Sequence, residues 1–191
     1  MMRIITGRAR GVRLASLEGE NTRPTSERVK EAVFSMLQFE MEDRQVLDLF
    51  AGSGQMGLEA VSRGAAHAVL VDRSKDAVEI IKKNCLKTKL ALDCEVFCAD
   101  YAEFLRTCRG RRSFDLVFLD PPYAKGVLPE VLKTMIDYRI LSPNATLICE
   151  TANEGDVFGD RCGLEERFEV QKRVRYGAAF VTVLRYAEVE A

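Results

Sequence analysis

The residues best equipped for chemistry stand at the ends of short apolar runs. VLDLF leads into the glycine-rich stretch Asp48-Leu-Phe-Ala-Gly-Ser-Gly54. Glycines at 52 and 54 let the backbone turn sharply and let a ligand approach the main chain. Amides at a helix start then point at that ligand, which suits a carboxylate or phosphate. Asp72 closes AVLVD, and a carboxylate there can accept both hydroxyls of a ribose. Asp100 closes CEVFCAD, before Tyr101. It can cap a helix or accept from the amino group of an adenine, with Tyr101 beside the ring. FDLVFLD ends in Asp120-Pro121-Pro122-Tyr123. Two prolines terminate the strand and fix the local backbone. A carboxylate, a carbonyl and an aromatic face are thus presented together, and they suit a planar amino group on a ring. Asp120 and the Pro121 carbonyl can accept its two hydrogens, and Tyr123 can stack on the ring, a contact worth about 1–3 kcal/mol for a base.

These positions need a scaffold that brings strand ends together. Apolar runs at 46–50, 68–72, 94–100, 114–120 and 145–150 alternate with helical stretches. Ser74 can cap one helix, whose apolar face reads Val78, Ile81, Cys85 and Leu86, and residues 127–138 form another. Such βα steps imply right-handed crossovers and a parallel sheet covered by helices on both faces. EVQKRVRYG and AAFVTVLRY, separated only by a turn, predict an antiparallel hairpin at one sheet edge. The expected fold is a Rossmann-like, mostly parallel seven-stranded α/β sheet with a C-terminal hairpin. Before it, Val29, Val33, Met36 and Leu37 predict a helix ending near Phe39, capped by Thr25 or Ser26. Residues 1–25 read as a basic extension with the pattern of a β-hairpin, and 26–191 as the main domain.

Composition narrows the function. The 191 residues are 47% hydrophobic with a net charge of -1, which excludes a disordered chain. No apolar stretch has membrane-spanning length, and the start MMRIITGRAR has no signal-peptide core. A cytoplasmic protein without a membrane partner is expected. The six cysteines form no CxxC pair and His67 is the only histidine, so thiols rather than a metal site are expected. Residues 1–30 carry seven Lys or Arg and three Asp or Glu, whereas the remainder carries 21 and 26. A basic arm on an acidic body suits a polyanionic partner. Arg106, Arg109, Arg111 and Arg112 form a second basic cluster, read as a solvated loop opposite the strand ends.

DLFAGSG, VDRS, Asp100 and DPPY, in this order, resemble class I S-adenosylmethionine-dependent methyltransferases that act on exocyclic amino nitrogens. With RIITGRARGVRL, TRPTSERVKEAVFSML and LDLFAGSGQMGLEAVSRGA, the chain resembles the RsmD family, whose members methylate the N2 of one guanine in bacterial 16S ribosomal RNA. The resemblance is specific over the first 123 residues. It implies S-adenosylmethionine bound by Asp48, Phe50, Gly52, Gly54, Asp72, Arg73, Asp100 and Tyr101. It implies a catalytic set of Asp120, Pro121, Pro122 and Tyr123. For the RNA, Arg8, Arg10, Arg13, Arg23 and Arg28 are the expected phosphate contacts. The small ribosomal subunit is the expected partner, and the protein is expected to be a monomer.

Alternatives weighed on the same residues are a methyltransferase for DNA adenine N6, for another RNA base or for a protein glutamine. Gly52-x-Gly54-x-x-Gly57, with Asp72 twenty residues on, also fits a nicotinamide-dependent oxidoreductase, which leaves DPPY unexplained. A catalytically silent RNA-binding module is disfavoured by the intact Asp120 and Tyr123.

Overall fold

Successive side chains of strands buried on both sides enter two core layers in turn, one on each face of a single sheet. A computed structural model describes residues 2–16, 24–122, 126–159 and 163–187. The expectations placed on Arg23, Tyr123 and Cys162 lie outside these residues. The strands are β1 Gln45–Asp48, β2 His67–Asp72, β3 Cys94–Cys98, β4 Phe114–Leu119, β5 Leu141–Thr151, β6 Phe168–Tyr176 and β7 Ala179–Tyr186. Their order is β3-β2-β1-β4-β5-β7-β6, with β1 to β5 parallel and β7 antiparallel to both neighbours. The strand order therefore reverses between β1 and β4, the place where open α/β sheets form a crevice.

Five helices cover the sheet among the described residues: α1 Pro24–Met36, α2 Gln55–Ser62, α3 Lys75–Thr88, α4 Tyr101–Cys108 and α5 Val127–Asp137. Val46, Leu70, Phe118 and Ile148 pack with Val33, Phe34, Leu58 and Ile81 of α1, α2 and α3. Their strand neighbours Leu47, Val69, Val117 and Leu147 pack with Leu105, Leu132 and Met135 of α4 and α5. Period-two alternation on strands buried on both sides explains why these runs are apolar throughout.

Three local expectations need correction. Pro24 begins α1, so Thr25 and Ser26 stand within its first turn instead of capping it, as proline's fixed φ favours at a first helical position. The helix ends at Met36, and the next residues form turns that leave Phe39 91% exposed. On α3, Leu86 is exposed, and the buried stripe is Ala77, Val78, Ile81, Asn84, Cys85 and Thr88. That stripe follows i, i+3, i+4, i+7 spacing, which takes in the polar Asn84 and turns Leu86 to solvent. Ser74 caps α3 as expected, accepting from the Ala77 amide.

Residues 2–16 fold back on themselves with one bridged pair, Arg3 opposite Arg13. Ile4 is fully buried and Leu14 nearly so, both in the layer that holds α1 and α2. The loop is fastened to α2: the Ile5 and Thr6 amides donate to Glu59 at 2.8 and 3.0 Å, and the Ala9 amide to Ser62 Oγ at 3.0 Å. Gly7, at φ +84°, permits this approach, because a Cβ there would lie 1.7 Å from the Ser62 carbonyl oxygen.

Candidate active site

The carboxyl ends of β1 to β5 and the amino end of antiparallel β7 open into one cavity of about 1010 Å³. That volume stands at the upper end of the range for ligand pockets. Asp48, Phe50, Gly52, Asp72, Arg73, Asp100, Tyr101, Asp120, Pro121 and Pro122 all line it. Gly54 does not. It sits behind the loop as the left-handed cap of α2, where an added Cβ would press on Leu70 and Ile81 at 3.0 and 3.2 Å.

The β1–α2 loop is held from three sides. The Gly57 amide donates to Asp48 Oδ2 at 3.0 Å, the Gly52 amide to Asp72 Oδ2 at 2.9 Å, and Asn84 Nδ2 to the Ser53 carbonyl at 2.9 Å. Asn84 also bonds both the amide and the carbonyl of Ala15, so one buried side chain joins the N-terminal segment to the glycine loop. Burial pushes the Asp48 carboxyl up to about 7, opposed by the Gly57 amide and reinforced by the charge of Asp72. A nearly buried carboxyl at this depth favours a cationic ligand, which restores its charged form.

Asp72 spends one acceptor site on each oxygen, on Gly52 and Ser74. The remaining lone pairs can still face a ligand hydroxyl. Asp100 caps α4 through the Ala102 amide at 2.9 Å while also lining the cavity, so its two readings coexist. Phe50 and Tyr101 lean together with ring centroids 5.6 Å apart. Across the β1/β4 reversal, exposed Asp120 and buried Pro121 form the opposite lip. Val29, Lys30 and Val33 of α1, with Phe118 and Ile148, wall that side.

Several lining residues escaped the sequence reading. Met2 borders the cavity and accepts a hydrogen bond from Ser53 Oγ on its sulfur at 3.0 Å. Lys30 is 1% exposed, donates to the Arg3 carbonyl at 2.5 Å and lies 3.5 Å from Glu59. Burial lowers its ammonium below the ordinary lysine value, with Glu59 opposing. A lysine beside Val29 and Val33 was the available signal. Glu150 was legible by the same rule that selected Asp72 and Asp120, since it stands at a strand end.

Of the expected RNA contacts, Arg8, Arg10, Arg13 and Arg28 do not line the cavity. Arg8 pairs with Asp93 at 2.5 Å. Among the described residues, Arg10, Arg13 and Arg28 are exposed and make no ion pair. In the second basic cluster, Arg112 holds Glu95 with both nitrogens and Arg109 lies over Tyr138. His67, half-buried at the start of β2, also reaches Glu95.

The strand order, the glycine loop and the paired lips across the β1/β4 crevice define a class I S-adenosylmethionine-dependent methyltransferase. The family model described as Conserved hypothetical protein 95 matches residues 2–185. Ribosomal RNA small subunit methyltransferase D of Haemophilus influenzae is 35% identical over 154 residues, covering 80% of each chain. Its namesake from Escherichia coli K12 is 36% identical over 153 residues, 80% of this chain and 76% of that one. The solved structure of yhhF from Escherichia coli, 30% identical, superposes with a TM-score of 0.84 and covers 96% of this chain and 97% of its own. The chain belongs to this family, the RsmD family.

Proposed function

We propose that the protein transfers a methyl group from S-adenosylmethionine to the exocyclic N2 of a guanine in 16S ribosomal RNA. The proposed setting is the small ribosomal subunit in the cytoplasm, with the protein acting as a monomer. The observation that carries this reading is the shared cavity: Asp120 and Pro121 face the Asp48–Ser53 loop across the β1/β4 reversal. The relatives named above are ribosomal RNA small subunit methyltransferases.

The residues present fit the donor. The Gly52 loop, Asp72 and Asp100 offer acceptors and close backbone, and Asp48 offers a carboxyl that gains from a nearby cation. When bound, the donor supplies an electrophilic methyl on a sulfonium. The guanine amino nitrogen is a poor nucleophile because its lone pair is delocalised into the ring. Accepting its two hydrogens at Asp120 and the Pro121 carbonyl favours a pyramidal nitrogen and steadies the charge that develops there. No strong base is needed, since the proton leaves after transfer. Holding both partners in one cavity supplies the rest, and effective molarities of this kind are worth about 7–11 kcal/mol. The base must be unstacked to enter, at a cost of a few kcal/mol. Tyr123 is proposed to stack on it.

The test is transfer of labelled methyl to ribosomal RNA from cells lacking this gene, followed by nucleoside mass spectrometry. N2-methylguanosine is the expected product, and methylation of an adenine N6 overturns the reading.

Asp48 gives the cofactor site a pH signature. Its folded-state value, about 7 against an ordinary 3.8, means the neutral form dominates in the free protein below pH 7. A bound cation favours the charged form, so binding releases a proton. Affinity for S-adenosylmethionine is therefore highest above pH 7 and falls by up to about tenfold per unit below it. Asp48→Asn removes that slope while keeping the slope of the donor's own amino group. Calorimetric titration of both proteins from pH 5.5 to 8.5 measures the difference, and parallel curves refute it.

The exposed arginines of the N-terminal segment are proposed to hold RNA phosphates, together with Arg23 and Arg28. Arg8→Ala with Arg10→Ala lowers RNA affinity and flattens the plot of log affinity against log salt by about 1–2 units. An unchanged slope removes the segment from the interface.

A further inference from the structure

The β4/β5 register sets Leu119 beside Cys149 and Phe118 beside Ile148. One residue further, Asp120 and Glu150 stand side by side at the strand ends, with backbones about 5 Å apart as in any sheet. Both line the cavity, on the face shared with Phe118 and Ile148. Glu150 in turn pairs with Val181 of β7, another lining residue. The half-buried Glu150 thus stands next to the lip that receives the amino group, in a cavity that Val29, Val33, Ile148 and Val181 also line.

We propose that Glu150 selects the base, by accepting the ring N1–H of the guanine whose N2 amine is held at Asp120. This inference rests on the guanine-N2 reading. In guanine the N1–H and the N2 amine are adjacent donors on one edge, so a base with its amine at Asp120 must find an acceptor for N1–H close by. Adenine presents a bare acceptor nitrogen beside its amine, which a carboxylate repels. A polar group left facing the wrong partner in an apolar recess costs far more than the same mismatch in water. Asp120 then serves the reacting nitrogen and Glu150 the identity of the ring.

The test uses 2-aminopurine, which keeps the N2 amine and has an unprotonated N1. Reconstituted small-subunit RNA carrying either guanine or 2-aminopurine at the target is methylated by wild type and by Glu150→Gln, with kcat/KM measured for each. Wild type is expected to prefer guanine by about 10–100-fold. Glu150→Gln, whose amide can donate to the bare N1, brings that ratio to within about threefold of unity. Glu150→Asp, which keeps the charge, retains the preference for guanine at a lower rate. S-adenosylmethionine affinity, read by calorimetry, stays at the wild-type value in both variants and shows that they are folded. An unchanged ratio in Glu150→Gln overturns the role of Glu150, as does a wild type that methylates both bases equally. A wild type that leaves the guanine RNA unmethylated overturns the guanine reading itself, and this inference with it.

Discussion

Replacing Asp120 by alanine is expected to abolish methyl transfer while S-adenosylmethionine is retained at more than half of the wild-type affinity. The two outcomes separate because the cavity is divided at the sheet reversal. The donor-side residues Asp48, Gly52, Asp72 and Asp100 belong to β1, β2 and β3 and the loops that follow them, whereas Asp120 follows β4. A carboxylate that accepts from the reacting amine acts most strongly when that nitrogen becomes positive, so its loss appears in kcat. Removing one group that stabilises transition-state charge costs about 10²–10³ in rate. Losing the charge as well as an acceptor places Asp120→Ala at the upper end. Asp120→Asn keeps one acceptor without the charge and should fall between. Single-turnover transfer with labelled donor, set beside calorimetric titration, measures both quantities. Equal loss of transfer and of donor binding would make Asp120 a cofactor ligand and move the amine elsewhere.

Much of this arrangement was legible because it depends on local patterns. Each site-bearing strand is a short apolar run ending in an acidic or glycine residue, and the rule that ligands gather at the carboxyl ends of such a sheet links residues distant in sequence. That reasoning found Asp48, Asp72, Asp100 and Asp120, and the sheet brings all four to one cavity. It also located the C-terminal hairpin, since β6 and β7 are joined by a turn too short for a crossover. The elements that failed are those whose position is set by partners far along the chain. Nothing near Leu86 shows that α3 turns Asn84 inward instead, because the reason lies at Ala15 and Ser53. Nothing in MMRIIT shows that Met2 will border the cavity, because Glu59 and Ser62 of α2 draw the segment there. Lys30 looked like one more charge of a basic arm, yet its ammonium is buried between Arg3 and Glu59. Sequence spacing reports which face of an element is apolar, and says little about a polar side chain whose partner is another buried polar group.

Glu59 carries the second large expected effect, on stability. It is fully buried on α2 and serves four partners: the Ile5 and Thr6 amides, Arg63 Nε at 2.8 Å and Lys30 Nζ at 3.5 Å. Glu59→Ala leaves two amides without their acceptor and the Lys30 ammonium buried without its counter-charge. Breaking a buried ion pair from one side costs about 3–5 kcal/mol, a large share of the roughly 5–15 kcal/mol that holds a domain together. At this size each kcal/mol shifts the melting point by about 2–4 °C, so a fall of about 10 °C or more is expected. Glu59→Gln keeps a single acceptor oxygen and should lie between the two. The loss has a direction as well as a size: the amides of residues 4–14 should lose hydrogen-exchange protection before those of β1 and β4, since the segment is tied to α2 mainly through Glu59 and Ser62. Donor affinity should fall too, because Met2 and the Ala15–Asn84–Ser53 link both reach the glycine loop from this segment. Thermal melts, native-state exchange and a donor titration on one variant read all three. A Glu59→Ala protein that melts within 2 °C of wild type, with residues 4–14 still protected, would show that Ile4 and Leu14 alone hold the segment in place.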